Sequence, residues 1–371
     1  MKTKSRGHGP SLYYATDKNV FDALNEHKVD AKTIAQLFLS RNTIVGKKTS
    51  REEKAKYFSR LNHDYYDHKA ISEKLGIVPR RERTTSMDVS GVIQVDSIVD
   101  VAEKIKKELE SAGEVVQISR SGEDICLNIQ YSTIDYKKNE FSQVQIRDGS
   151  IELIKTDAGY TVRNTQNQYI DDVREAMFGK LESETDSKLE KNVISLFDIP
   201  SPKLRSKFFH SLIHELPGYR HVDVTDVYTY KAKPSEERND DEEDENELDT
   251  HIEKVFLRGN GVSRSELLND LIEKDDYYIT KIGWSAEELS GVGRQFDIEA
   301  LFSDPKDCSS FSFLLCGVFP VEDGKVMTKR RPPTKNEIEA ISIAIETKSR
   351  ALVVALRNEY ENAINGEGNG N

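Results

Sequence analysis

Asp124 opens a strand-like run that ends in Asp135-Tyr136-Lys137. Metal-dependent nucleases use such an order, two carboxylates holding Mg²⁺ and a lysine beside the attacking water. In a chain with 32% charged residues the pattern arises readily by chance, and exposed hairpin-end residues explain it more simply. His63-Asp64-Tyr65-Tyr66-Asp67-His68 gathers four metal-ligand types in six residues. His63 and Asp67 would share one face of a helix, but the spacing dictates no third ligand. His210 and His214 repeat the four-residue spacing, with Glu215 after the second histidine. In the His-Glu-x-x-His zinc hydrolases the glutamate lies between the ligands and acts as base. Arg258-Gly259-Asn260-Gly261-Val262-Ser263-Arg264 carries two glycines that let backbone amides approach a phosphate. It lacks the Walker pattern and a third dinucleotide glycine, and Ser263 with Glu266 reads as a capping box into a helix. No Gly-x-Ser-x-Gly elbow or kinase signature is present. Cys126, Cys308 and Cys316 include no Cys-x-x-Cys pair, so they supply neither a disulfide framework nor zinc ligands. The sequence therefore predicts no metal, no cofactor and no catalytic residue, with a nuclease using Asp124, Asp135 and Lys137 as the alternative.

The stronger signal is cationic. Lys47 and Lys48 lie in a loop, and Arg51, Lys56 and Arg60 follow on a helix whose apolar stripe holds Ala55, Phe58 and Leu61. Lys56 and Arg60, four residues apart, share the face opposite that stripe. Backbone N–H groups near Ser50, at the helix start, would add to an anion site. Lysine and arginine contacts to phosphate supply the sequence-independent part of nucleic-acid affinity. The bland alternative is a solvated basic face, or one that docks the protein's own acidic run.

Val29 through Leu61 resembles the SAP-type helix–extended-loop–helix module. The shared features are an apolar first helix ending in Ser40-Arg41, a loop with Val45-Gly46-Lys47-Lys48, and a second helix ending in Ser59-Arg60-Leu61. The Leu-Arg-Gly turn of many members reads Ser40-Arg41-Asn42 here. The resemblance covers about a tenth of the 371 residues. It implies DNA binding in which Lys47, Lys48 and Arg51 meet phosphates.

Charge is unevenly spread. Residues 1–90 hold 18 Lys and Arg against 11 Asp and Glu, a net of +7, so the remainder carries −19 of the total −12. Much of the negative charge sits in one run from Glu236 to Glu247, which repels itself and reads as a solvated linker. Hydrophobic content of 36% with 15 Tyr and 14 Phe excludes a disordered chain. The first ten residues have no apolar core of a signal peptide. No apolar stretch approaches the roughly 18 residues of a membrane span. A cytoplasmic protein with no membrane partner is expected.

Periodicity divides the chain further. Helical stripes run over residues 31–40 and 51–65, and the period then changes at Gly91. An amphipathic helix over 98–110 precedes strands at 115–119, 124–134, 141–147, 151–155 and 160–163, with Asp148-Gly149 as a hairpin turn. Helices at 169–182 and 203–215 precede a strand at 221–230. Beyond the acidic run come strands at 251–258, 277–284, 298–302 and 312–319 and a helix at 265–272. A long final helix starts at Thr334, where Thr334 and Glu337 form a capping box after Pro332-Pro333. Its stripe, Ile338, Ile341, Ile345, Leu352, Ala355 and Leu356, packs a core or forms a seam with another copy or a protein partner.

The expected architecture is α+β: a basic helical module over 1–90, an α+β domain with a meander over 91–235, an acidic linker over 236–250, and an α+β domain over 251–371. The expected function is a non-catalytic, nucleic-acid-binding protein, most simply DNA-binding, that associates with itself or a partner. Such an arrangement suits an accessory of a bacterial or phage conflict system, including antiviral defense, or a transcription accessory.

Overall fold

The computed structural model describes residues 15–76, 82–91, 94–138, 140–231, 252–259, 261–262, 265–274 and 276–368. The acidic run lies outside the described residues, as does Ser263 of the expected capping box. Helices α1 (Asp17–Asn25), α2 (Ala31–Ser40), α3 (Arg51–Phe58) and α4 (Tyr65–Gly76) come first, then β1 (Thr84–Ser90) and α5 (Val95–Ser111). Next are β2 (Val115–Ser121), β3 (Asp124–Ile134), the single turn α6 (Glu140–Gln143), β4 (Val144–Thr156) and β5 (Gly159–Thr165). Then follow α7 (Gln168–Thr185), β6 (Glu190–Val193), α8 (Pro202–His214) and β7 (Tyr219–Tyr230). The last group is β8 (Lys254–Arg258), α9 (Glu266–Glu273), β9 (Tyr278–Glu288), β10 (Gln295–Asp304), β11 (Ser309–Phe319), the short β12 (Val321–Glu322) and β13 (Lys325–Val326), and α10 (Lys335–Gly368). The fold is α+β with antiparallel strand pairing and a long C-terminal helix, as the sequence predicts.

The chain forms two compact units that interleave in sequence. One comprises Met1–Arg81, Gly91–Lys155 and Asn167–Leu189; the other comprises Glu82–Ser90, Thr156–Gln166 and Glu190–Asn371.

In the first unit, α1–α4 enclose their own core of Val20, Leu24, Ile34, Phe38, Phe58 and Leu75, joined by Phe141 of α6. The predicted helix over 51–65 is shorter, and a second helix begins only at Tyr65. The first stops at Phe58, and Asp64 restarts the chain as α4 by accepting hydrogen bonds from the N–H groups of Tyr66 (3.0 Å) and Asp67 (3.1 Å). Strands β2, β3 and β4 form an antiparallel meander. The predicted turn at Asp148-Gly149 is not a turn, because β4 runs unbroken through it and pairs Gly149 with Ile129. A Cβ at Gly149 would lie 2.5 Å from Ile170 Cδ1, so the glycine is there to admit α7 onto the strand. Beside it the rings of Tyr131 and Tyr169 stack with centroids 4.2 Å apart. Helix α7 also meets α5, through Lys104–Glu184 at 2.6 Å and Lys180–Glu108 at 2.8 Å.

The second unit is built on a sheet of order β5-β1-β11-β10-β9-β7-β8. On one side β1 pairs with β5; on the other Thr84 meets Phe313 of β11 while Met87–Ser90 pair with β6. One sheet face is apolar. Trp284, Phe296, Phe302 and Phe311 bury against Phe208 and Phe209 of α8 and against Ile341, Ile345, Leu352 and Leu356 of α10. These last four belong to the stripe read from the sequence, so the face that a partner helix would need is occupied by the unit's own core; Ile338 and Ala355 are exposed. The expected Thr334–Glu337 capping box is formed, with the Thr334 N–H donating to Glu337 Oε2 at 2.8 Å. Among the described residues no helix is long and apolar enough to cross a membrane.

Candidate nucleic-acid interface

The basic segment folds as helix α2, a loop over residues 41–50, and helix α3. The loop can leave α2 sharply because Asn42 adopts φ +54°, a left-handed conformation that asparagine tolerates nearly as well as glycine. Val45 anchors the loop against the module's core, while Ile44, Lys47 and Lys48 face solvent. Ser50 then caps α3: its hydroxyl accepts from the Glu53 N–H, and its own N–H donates to Glu53 Oε2 at 3.0 Å. That N–H, expected to help hold an anion, is therefore taken by a carboxylate of the same chain.

The module's cations divide into engaged and open ones. Arg41 pairs with Asp67 and lies 3.5 Å from Asp64, Lys18 pairs with Asp22, and Lys69 approaches Glu73. Arg51 turns inward: its Nη1 donates to the carbonyls of Leu24 (2.9 Å), Glu26 (2.9 Å) and Val29 (2.8 Å), closing the end of α1. Lys47, Lys48, Lys56 and Arg60 are exposed. Among the described residues they make no ion pair or side-chain hydrogen bond. Four of the five cations singled out in the sequence thus remain open to a ligand, and the fifth serves the fold.

Tyr57, between Lys56 and Arg60, was not singled out from the sequence. It is 54% exposed, with its ring stacked on buried Phe38 at 6.1 Å and 25°. Its position off the apolar stripe, among cations, is the signal that could have found it.

The carboxylate–lysine pattern does not assemble. Asp124 and Asp135 stand at opposite ends of β3, whose 11 residues span roughly 35 Å at about 3.3 Å each. Asp124 accepts from the Lys155 N–H of neighbouring β4 at 2.7 Å, and Asp135 accepts from the Lys137 N–H at 3.1 Å in a local turn. Lys137 is exposed.

The histidine pairs meet different partners. His63 does not share a helix face with Asp67; its Nδ1 lies 2.7 Å from His68 Nε2, while Asp67 serves Arg41. His210 and His214 do meet on α8, with tilted rings and centroids 4.5 Å apart. His221 of β7 adds a third, tilted ring 4.6 Å from His214, a contact that sequence spacing could not reveal. No group of three or more His, Cys, Asp or Glu among the described residues is arranged to hold a metal.

The polar face of the second unit's sheet is charged but internally satisfied. Glu299 lies between Arg83 and Lys281, Asp297 pairs with Arg330, and Asp226 with Arg258. Comparison with known families finds no matching family model, and comparison with curated proteins finds no match.

Proposed function

We propose that this protein binds nucleic acid, most simply DNA, through phosphate contacts from Lys47, Lys48, Lys56 and Arg60, and that this function is non-catalytic. The observation that carries the reading is the division of cations in the module. Lys18, Arg41 and Arg51 are satisfied by carboxylates or carbonyls of the same chain, whereas these four stand in solvent, clustered on one loop and the helix it feeds. The helix–loop–helix arrangement of α2 and α3 is compatible with the SAP-type resemblance, and Asn42 occupies its turn in a conformation glycine would favour. The separation of Asp124 and Asp135 at the two ends of β3 favours this reading over the nuclease alternative.

The test is a DNA titration across salt concentrations with the full chain. Four phosphate contacts give a slope of log K against log[salt] of about −3 to −4. Replacing Lys47 and Lys48 together by alanine should flatten it by up to about 2 units and weaken all sequences alike. An unchanged slope in the double variant would remove these residues from the interface.

A further inference from the structure

We infer that the ligand of this surface is a single strand, one of whose bases stacks on Tyr57. The inference rests on the proposed phosphate contacts and adds what lies between them. A duplex keeps its base faces stacked inside and offers a basic surface only phosphates and groove edges. Lysines alone would serve it. An aromatic ring held open among those lysines has a use when the ligand brings unstacked bases.

Three observations support this occupant. First, the Tyr57 ring is held by an offset contact with Phe38, centroids 6.1 Å apart and planes at 25°, and Phe38 is itself fixed by edge-on contact with Phe58 at 5.4 Å and 78°. Both phenylalanines are fully buried. The tyrosine is thereby oriented before any ligand arrives, so little side-chain freedom is lost on stacking. Second, Lys56 precedes it and Arg60 follows three residues on, both exposed, placing cations for the phosphates on either side of a stacked base. Third, the alternation of apolar and cationic groups continues along the segment. Ile44, 89% exposed, precedes Lys47 and Lys48 in the loop, and Tyr65 and Tyr66, 63% and 76% exposed, follow Arg60 at the start of α4. The two tyrosine rings rest edge to face at 5.6 Å. An apolar protein partner would be served by the same aromatic residues but not by open lysines interleaved with them.

The experiment is anisotropy of labelled 20-nucleotide oligothymidylate, oligouridylate and a duplex of equal length, with the full chain and with Tyr57→Ala and Tyr57→Phe. The expected result is tighter binding of a single strand than of duplex. Tyr57→Ala should weaken the single strand about tenfold and the duplex less than twofold, and Tyr57→Phe should keep wild-type affinity. Whichever oligonucleotide binds more tightly names the sugar, and either supports stacking. Duplex binding as tight as single-strand binding, with Tyr57→Ala unchanged, overturns this inference and leaves the phosphate contacts standing. No binding to any oligonucleotide overturns both. Because Tyr57→Ala removes a ring packed on Phe38, photocrosslinking of wild-type protein to iodouracil-bearing oligonucleotide gives a second readout. Adducts on Tyr57 support the inference, and adducts confined to other peptides overturn it.

Discussion

The guanidinium of Arg163 on β5 and the carboxylate of Glu346 on α10 form a buried, two-pronged ion pair, with Nε–Oε1 at 2.7 Å and Nη2–Oε2 at 2.9 Å. Both side chains are over nine-tenths buried. Removing one partner strands a charge out of water, whereas removing both does not. Glu346→Ala should destabilise the protein by about 3–5 kcal/mol, and Arg163→Met with Glu346→Leu should recover most of the loss. Urea unfolding of the three proteins decides it, and a single variant within 1 kcal/mol of wild type would contradict the assignment.

Arg51 and the Lys47–Lys48 pair should separate fold from binding. Arg51→Ala removes the side-chain donor to the carbonyls of Leu24, Glu26 and Val29, of which Glu26 keeps the Val29 N–H, and should cost about 1–3 kcal/mol. The salt slope of DNA binding should stay as in wild type. Melting curves and titrations of the same samples check both halves.

Glu337 should govern part of the acid stability. Hydrogen bonding from Arg331 holds its carboxyl down to about 2, against the opposing effect of burial and with help from the Thr334 N–H. A folded value below the unfolded 4.5 means that the stabilisation is whole above that pH and is lost as pH falls toward about 2. Glu337→Gln should be less stable than wild type at pH 7, with the gap closing on acidification through that window. A gap constant with pH would show that the carboxylate's charge is not what matters.

The cluster of His210, His214 and His221 should destabilise the fold on mild acidification. Burial lowers the His214 pKa below 6.5 and the nearby His210 lowers it further, with Glu215 opposing. Glu215 is itself drawn to Lys348 of α10 at 2.6 Å, which limits its help to a charged His214. The unfolded chain therefore takes up the proton first, and stability declines as pH drops below about 6.5. The melting temperature should fall between pH 7.5 and 5.5, and His214→Gln should reduce that fall by about 2 °C or more. Equal falls in both proteins would assign the effect elsewhere.

Legibility in the sequence followed the range of the deciding interaction. The Ser50–Glu53 and Thr334–Glu337 caps are encoded within four residues, and both formed as read. The stripe of α5, from Ile98 to Leu109, reports one buried helix face and was equally plain. Gly149 misled because a glycine after aspartate signals a turn locally, while its real neighbour, Ile170, is 21 positions away. β1 was invisible because Thr84–Ser90 is polar in composition; its strand state comes from pairing with β5, β6 and β11. Arg51 looked like a phosphate ligand because nothing local shows that carbonyls of Leu24, Glu26 and Val29, at the end of α1 and in the turn after it, lie within its reach.

The placement of β1 bears on how the chain is made. It emerges early in synthesis, yet its partner at Thr84 is Phe313 of β11. At 5–20 residues per second that interval is on the order of tens of seconds. β5 can join one edge when Thr165 is out, and β6 covers Met87–Ser90 of the other edge by Val193. Only Thr84–Ser86 then wait as an open edge, and threonines and serines there are poor bait for a neighbouring nascent chain. The short strand β6 thus serves as an early shield for a seam that translation closes last.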